Sequence, residues 1–146
     1  MREILFRGKR VDNGKWVEGN RLGESAIVPK GQGFLIEGDS IYGCTLTAYD
    51  IIPETIGQYT GLTDKNGTKI FEGDIVRLKR FGNIECGKIV FNTNTDGFEF
   101  WHEVTVGAYG EKAMRKENLC AFTVSVVEII GNIHDNPELL EGDFNG

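Results

Sequence analysis

Apolar positions along this chain fall in short runs, with polar residues at alternate places and glycine or asparagine at the breaks. Ile4 and Phe6 alternate with Leu5 and Arg7, after which Asp12-Asn13-Gly14-Lys15 leads into Trp16-Val17-Glu18. Asn-Gly between two such runs predicts a β-hairpin, because both residues accept the positive φ of a type I′ turn. Further runs follow at Ala26-Ile27-Val28, Phe34-Leu35-Ile36 and from Leu46 to Ile52, punctuated by Pro29, Gly31, Gly33 and Gly38. All have the length of strands, not helices.

From Ile56 the texture changes to a long turn-rich passage. Beyond it lie Ile75-Val76-Arg77-Leu78, Lys88-Ile89-Val90-Phe91, Phe98-Glu99-Phe100-Trp101 and the run from Phe122 to Ile130. Strands at this spacing predict a small barrel. Glu72-Gly73-Asp74-Ile75-Val76 is similar to the turn that opens SH3-like barrels, a comparison by analogy alone. The expected fold is therefore mainly β, with an N-terminal β-hairpin subdomain over residues 1–55 and an SH3-like small barrel over 56–146. At the end, Asn136 as a cap and Pro137 in the first helical position predict a short C-terminal helix, with Leu139 and Leu140 docked on a neighbour. Residues 110–118, rich in Glu, Lys and Arg, read equally as a second short helix or as a charged loop.

Composition adds one thing to this picture. The 146 residues include 20 Gly and only 3 Pro, which suits many tight reversals, since glycine reaches φ values that other residues avoid. The net charge of −6 is uneven: residues 119–146 hold five acidic residues and no Lys or Arg, so the rest of the chain is nearly neutral. A local basic face remains open to an otherwise acidic chain. Cys44, Cys86 and Cys120 lie 42 and 34 residues apart, which gives no zinc spacing and reads as reduced thiols in a reducing, intracellular compartment. No stretch approaches the ~20 apolar residues that cross a bilayer, and the opening residues lack a signal sequence.

Three catalytic or metal patterns begin and then fail. Gly82-Asn83-Ile84-Glu85-Cys86-Gly87-Lys88 has phosphate-loop spacing, but Ile89 stands where Ser or Thr must hold Mg²⁺, and β alternation follows where a helix should start. Asp64-Lys65-Asn66-Gly67, with Glu72 and Asp74 downstream, has Lys69 and Ile75 at the places where an EF-hand needs glycine and an acid. His102-Glu103 lacks a second imidazole at Val106, and His134 is 32 residues away. The expectation is no metal, no cofactor and no enzymatic activity. A hydrolase or nuclease using Asp64, Glu72 and Asp74 with a divalent ion is the weakest of the three functions weighed.

A second function is nucleic-acid binding. In a strand Arg77 and Lys79 share a face, and with Lys88 and nearby Phe81, Phe98, Phe100 and Trp101 they could join charge to stacking. Against this stands the alternation Phe98-Glu99-Phe100, which is the signature of one buried face.

The passage Ile56-Gly57-Gln58-Tyr59-Thr60-Gly61-Leu62-Thr63-Asp64-Lys65-Asn66-Gly67-Thr68-Lys69-Ile70-Phe71-Glu72-Gly73-Asp74-Ile75-Val76 resembles the YopX family of phage and prophage proteins. The likeness extends to Ile4-Leu5-Phe6-Arg7-Gly8 and to Glu128-Ile129-Ile130-Gly131-Asn132-Ile133-His134-Asp135-Asn136-Pro137-Glu138-Leu139-Leu140. The resemblance implies a mainly β protein from a phage or integrated prophage, of uncharacterised role, assembling as a hexamer-based homo-oligomer. It carries no catalytic residues. The leading expectation is thus a non-enzymatic phage-encoded accessory or interaction protein, with a phage or host protein as a possible partner and no membrane association. In the central passage Tyr59, Leu62, Ile70 and Phe71 would anchor a long loop, and Gln58, Thr60, Thr63, Asp64 and Asn66 are its candidate binding groups, because function tends to sit on loops held by a rigid frame.

Overall fold

The computed structural model describes residues 4–29, 48–80, 82–95, 97–119 and 127–140. The chain divides into two compact units, Met1–Tyr59 and Thr60–Gly146.

In the first unit β1 (Phe6–Lys9), β2 (Trp16–Leu22), β3 (Ala26–Pro29) and β4 (Tyr49–Asp50) form an antiparallel sheet in the order β4-β3-β2-β1, and the start of β5 (Gly57–Thr63) pairs with β1. Leu5, Ile27, Val28, Ile51 and Tyr59 are buried. Gly8 is required where it stands, since a Cβ there would run into Ile51 and come within 3.3 Å of Ile56 and 3.4 Å of Ile27. The link between β1 and β2 is wider than the two-residue turn that Asn13-Gly14 predicts. Lys9 is the last residue opposite Trp16, and Arg10 N–H donates to the Lys15 carbonyl while Gly14 N–H donates to the Arg10 carbonyl. Arg10 also bridges to Ile51, which holds the loop open from the other side. Of the expected runs, Phe34-Leu35-Ile36, the first two residues of Leu46 to Ile52 and residues 122–126 of Phe122 to Ile130 lie outside the described residues.

In the second unit β6 (Lys69–Phe71) pairs with the later part of β5, and a five-stranded antiparallel sheet runs β10-β9-β8-β7-β11. Its strands are β7 (Asp74–Arg80), β8 (Asn83–Asn92), β9 (Gly97–Val106), β10 (Glu111–Asn118) and β11 (Val127–Asn132). Alternation assigns the two faces. Val76, Leu78, Ile89, Phe98, Phe100 and Val127 join Ile70 and Leu119 in the core, with Leu62, Phe91 and Ile129 packed against them. Phe91 meets Phe98 edge to face at 5.0 Å. Gly87 sits opposite His102 in the register, where a Cβ would strike the Trp101 carbonyl and lie 2.7 Å from the Phe100 ring.

Two expectations are corrected here. The SH3-like barrel is not a closed barrel: among the described residues β10 and β11 are the two edges of an open sheet. Closure needs the backbone groups of the two edge strands to pair with each other, and among the described residues β10 pairs with β9 alone and β11 with β7 alone. Residues 111–118 are neither helix nor excursion loop but a strand paired residue for residue with β9, from Glu111 opposite Val106 to Asn118 opposite Glu99. Their good helix formers yield to that pairing, which Gly107 (φ 74°) and Gly110 (φ 72°) permit by turning the chain in four residues.

The C-terminal element is a single 3-10 turn, Pro137–Leu140. Asn132 and Asn136 build its approach: the Asn132 side-chain oxygen accepts the N–H groups of His134 (3.0 Å) and Asp135 (2.9 Å), and the Asn136 side-chain oxygen accepts Asn132 N–H at 3.3 Å. Leu139 then lies against Gly131, where a Cβ would be 2.9 Å from its methyl carbon. Among the described residues no helix is long and apolar enough to cross a membrane.

Candidate functional site

The turn between β5 and β6 is organised by one side chain. Asp64 is 5% exposed, and one carboxylate oxygen accepts the N–H groups of Asn66 and Thr68, both at 2.9 Å. The other accepts the N–H of Ile129 at 3.1 Å, while Lys65 N–H donates to the Val127 carbonyl at 2.9 Å. Burial opposes ionisation, yet the backbone donors of Ile129, Thr68 and Asn66, together with the Lys65 charge, outweigh it and hold the Asp64 carboxyl below its ordinary value. Asn-Gly supplies the reversal itself, with Gly67 at φ 82°.

The other candidate binding groups of this passage are placed as follows. Thr60 is buried; its hydroxyl donates to the Ile70 carbonyl at 2.8 Å and accepts Leu62 N–H at 3.2 Å. Gln58 and Thr63 are half-buried and Asn66 is exposed. Asp74, 1% exposed, accepts Phe71 N–H at 2.7 Å and closes the Glu72-Gly73 turn, where Gly73 takes φ 92°. Gly73 N–H reaches the Ile89 carbonyl and its own carbonyl receives Ile133 N–H. Among the described residues no three His, Cys, Asp or Glu side chains come together as a metal-binding set.

The basic strand presents a different arrangement from the one the sequence suggests. Arg77 is bound to Glu128, which Lys65 also approaches at 3.5 Å, and the Arg77 guanidinium holds the Glu128 carboxyl below its usual range. Lys79 is exposed and Lys88 half-buried on the same side of the sheet, as alternation along β7 and the Ile75–Lys88 pairing require. Phe98 and Phe100 belong to the opposite, buried face, and Phe81 is outside the described residues. Trp101 alone of these aromatics joins the lysines. It stands directly between Lys88 on β8 and Lys116 on β10, whose ammonium groups lie 5.7 and 4.2 Å from the ring centre.

Glu99 fixes the indole. It accepts Trp101 Nε1–H at 2.9 Å, the Asn92 amide at 3.0 Å and the Thr95 hydroxyl at 3.2 Å. The Trp101 hydrogen bond, then that of Asn92, are the main causes that hold the Glu99 carboxyl below its ordinary value. Neither Lys116 nor Glu99 stands out in the sequence, because β10 does not read as a strand and the cross-strand neighbours of Trp101 are therefore not legible.

Other chemistry-bearing groups lie apart from this face. His102, 2% exposed, stacks on Phe100 with ring centres 4.7 Å apart and meets Glu117 through Nε2 at 2.7 Å, while its buried Nδ1 has no hydrogen-bond partner among the described residues. Cys86 is a free, half-buried thiol, pushed up from its ordinary pKa by burial against the opposing charge of Arg77; Cys44 and Cys120 lie outside the described residues. In the first unit Trp16 is flanked by Arg7 at 4.7 Å and Lys9 at 5.8 Å. A shallow cleft of about 230 Å³ there is lined by Val11, Asp12, Ala48, Tyr49 and Asp50, smaller than the roughly 300–1,000 Å³ of ordinary ligand pockets.

Two antiparallel sheets, with Thr60, Asp64 and Asp74 bonded to backbone groups and Trp101 between two lysines, define a mainly β protein. The chain belongs to the YopX family, whose model, described as YopX protein, matches residues 5–141. None of the curated proteins matches it. A solved structure, the crystal structure of protein EF1440 from Enterococcus faecalis, has the same fold at 24% identity and a TM-score of 0.52, covering 96% of this chain and 99% of that one.

Proposed function

We propose that this chain is a non-enzymatic, phage- or prophage-encoded accessory or interaction protein of the bacterial cytoplasm that assembles with copies of itself. The observation that carries this reading is the use made of the long central motif. Asp64 binds three backbone N–H groups, Thr60 binds the Ile70 carbonyl, and Asp74 binds Phe71 N–H, so these three side chains of the motif act on the chain's own architecture. Such residues need no substrate to explain them. The end of the β9–β10 ribbon exposes Met114 on one face, Val106 on the other and Tyr109 in the turn between the strands, the last at 93%. Past the Gly87–His102 pair β9 and β10 continue without β8, and exposed apolar side chains on such a two-stranded extension favour cover by another chain.

Light scattering on the purified chain at micromolar concentration tests this. A mass that is a multiple of 16.2 kDa, reduced by Tyr109→Ser with Met114→Lys, is the expected result. A single-chain mass for the parent protein overturns the assembly.

A further inference from the structure

We propose that the face of β8, β9 and β10 opposite the core, where Trp101 and Lys88 are half-buried and Lys116 is exposed, binds single-stranded nucleic acid, with Trp101 as the base-stacking platform and Lys88 and Lys116 as its phosphate contacts. The register places these three residues in one row across three strands, Lys88 opposite Trp101 and Trp101 opposite Lys116. The indole has its only polar atom bound to Glu99, and Glu99 is in turn bound by Asn92 and Thr95. A ring held by its N–H edge loses little freedom when a base stacks on it, which is the condition for a platform that tolerates any base.

Charge on this face favours a polyanion once its pairs are taken into account. Glu128 is met by Arg77 and Lys65 and Glu103 by Lys112 at 3.0 Å, whereas Glu99, whose three donors are neutral, keeps its charge and is offset by Lys116 nearby. Lys79 and Lys88 form no ion pair among the described residues, and Lys116 is shared between the Trp101 ring and the Glu99 charge. Arg77 is therefore not one of the phosphate contacts, and Lys116 takes the place that the strand sequence assigns to it. The ammonium groups over Trp101 hold it only weakly, since cation–ring contacts at exposed sites contribute about 0.5–1 kcal/mol, and each lysine can exchange the ring for a phosphate as a base moves in. A lone flat ring on a sheet stacks on an unpaired base and has no groove to enter, which selects single strands over duplex.

This inference goes beyond the assembly reading and is separable from it. Fluorescence anisotropy of the full chain against labelled oligothymidylate and oligouridylate, from low to moderate salt, is the measurement. Binding is expected at low salt for both, weakening with salt at a slope of about −0.7 for each phosphate contacted. Trp101→Ala should weaken it about tenfold or more, Trp101→Phe much less, and Lys88→Glu with Lys116→Glu should abolish the salt-dependent part. Urea midpoints check that each variant is folded, and light scattering on the same variants keeps loss of binding distinct from loss of assembly. A difference between the two oligomers assigns DNA or RNA as the preferred strand. No binding at low salt, equal binding by duplex, or polyglutamate binding that survives Trp101→Ala would overturn the proposal.

Discussion

The Asp64 carboxylate accepts the backbone N–H of Ile129 at 3.1 Å across 65 residues of chain. The same carboxylate shapes its own turn through Asn66 and Thr68. One side chain thus joins the central motif to the C-terminal one, and β7 pairs with β11 beside it, Ile129 opposite Val76. Two sequence segments that look independent are one structural unit.

Replacing Asp64 with Ala is expected to lower the stability of the protein by about 2 kcal/mol, the scale of hydrogen bonds to an ionised group. Asp64→Asn, which keeps one acceptor oxygen, should lose less. The urea midpoint measures both. Because the folded-state pKa lies below the ordinary 3.8, this contribution is whole above that value and disappears as pH falls through the lowered one. Acid titration of stability should therefore be flatter in Asp64→Asn than in the parent; identical acid limbs would show that the carboxylate contributes nothing.

Gly87→Ala and Gly67→Ala separate two reasons for a glycine. At Gly87 an added methyl meets the Trp101 carbonyl and the Phe100 ring inside the sheet, and overpacking of this kind costs roughly 1–3 kcal/mol. At Gly67 nothing lies within 4 Å and the cost is conformational alone, since φ is +82°; that is about 1–2 kcal/mol. Thermal unfolding should rank Gly87→Ala as the more damaging, with altered Trp101 fluorescence in that variant only.

The His102–Glu117 pair predicts a non-additive result. His102→Ala removes a buried ring that stacks on Phe100 and leaves Glu117 without its 2.7 Å partner, a loss of about 3 kcal/mol. His102→Phe combined with Glu117→Leu replaces both polar partners and ends the isolation of the buried Nδ1, so it should lie within about 1 kcal/mol of the parent. A double-mutant cycle on chemical denaturation decides it: a combined variant as unstable as His102→Ala would mean that the pair adds net stability.

Much of this molecule follows from local rules that a chain carries without its fold. Alternation alone puts Phe98 and Phe100 on one buried face with Glu99 opposite, and Pro137 after Asn136 marks the start of the last turn. Positive φ at Gly14, Gly67 and Gly73 answers to Asn-Gly and Glu-Gly-Asp turns that can be read directly. The family likeness is equally legible, because its motifs are made of these same turns and anchors.

Register and edges were settled only by tertiary structure. Which residue faces which across a sheet depends on where two strands start to pair, and nothing within either strand states it. That is why Lys116 beside Trp101, Glu117 beside His102 and Gly87 beneath Phe100 are invisible along the chain. It is also why residues 111–118, helix formers by composition, become a strand: the partner β9 supplies backbone hydrogen bonds that outweigh a weak local preference. An open sheet in place of a barrel has the same origin, since closure depends on whether the backbone groups of two distant edges, here β10 and β11, meet and pair, and neither strand states that by itself.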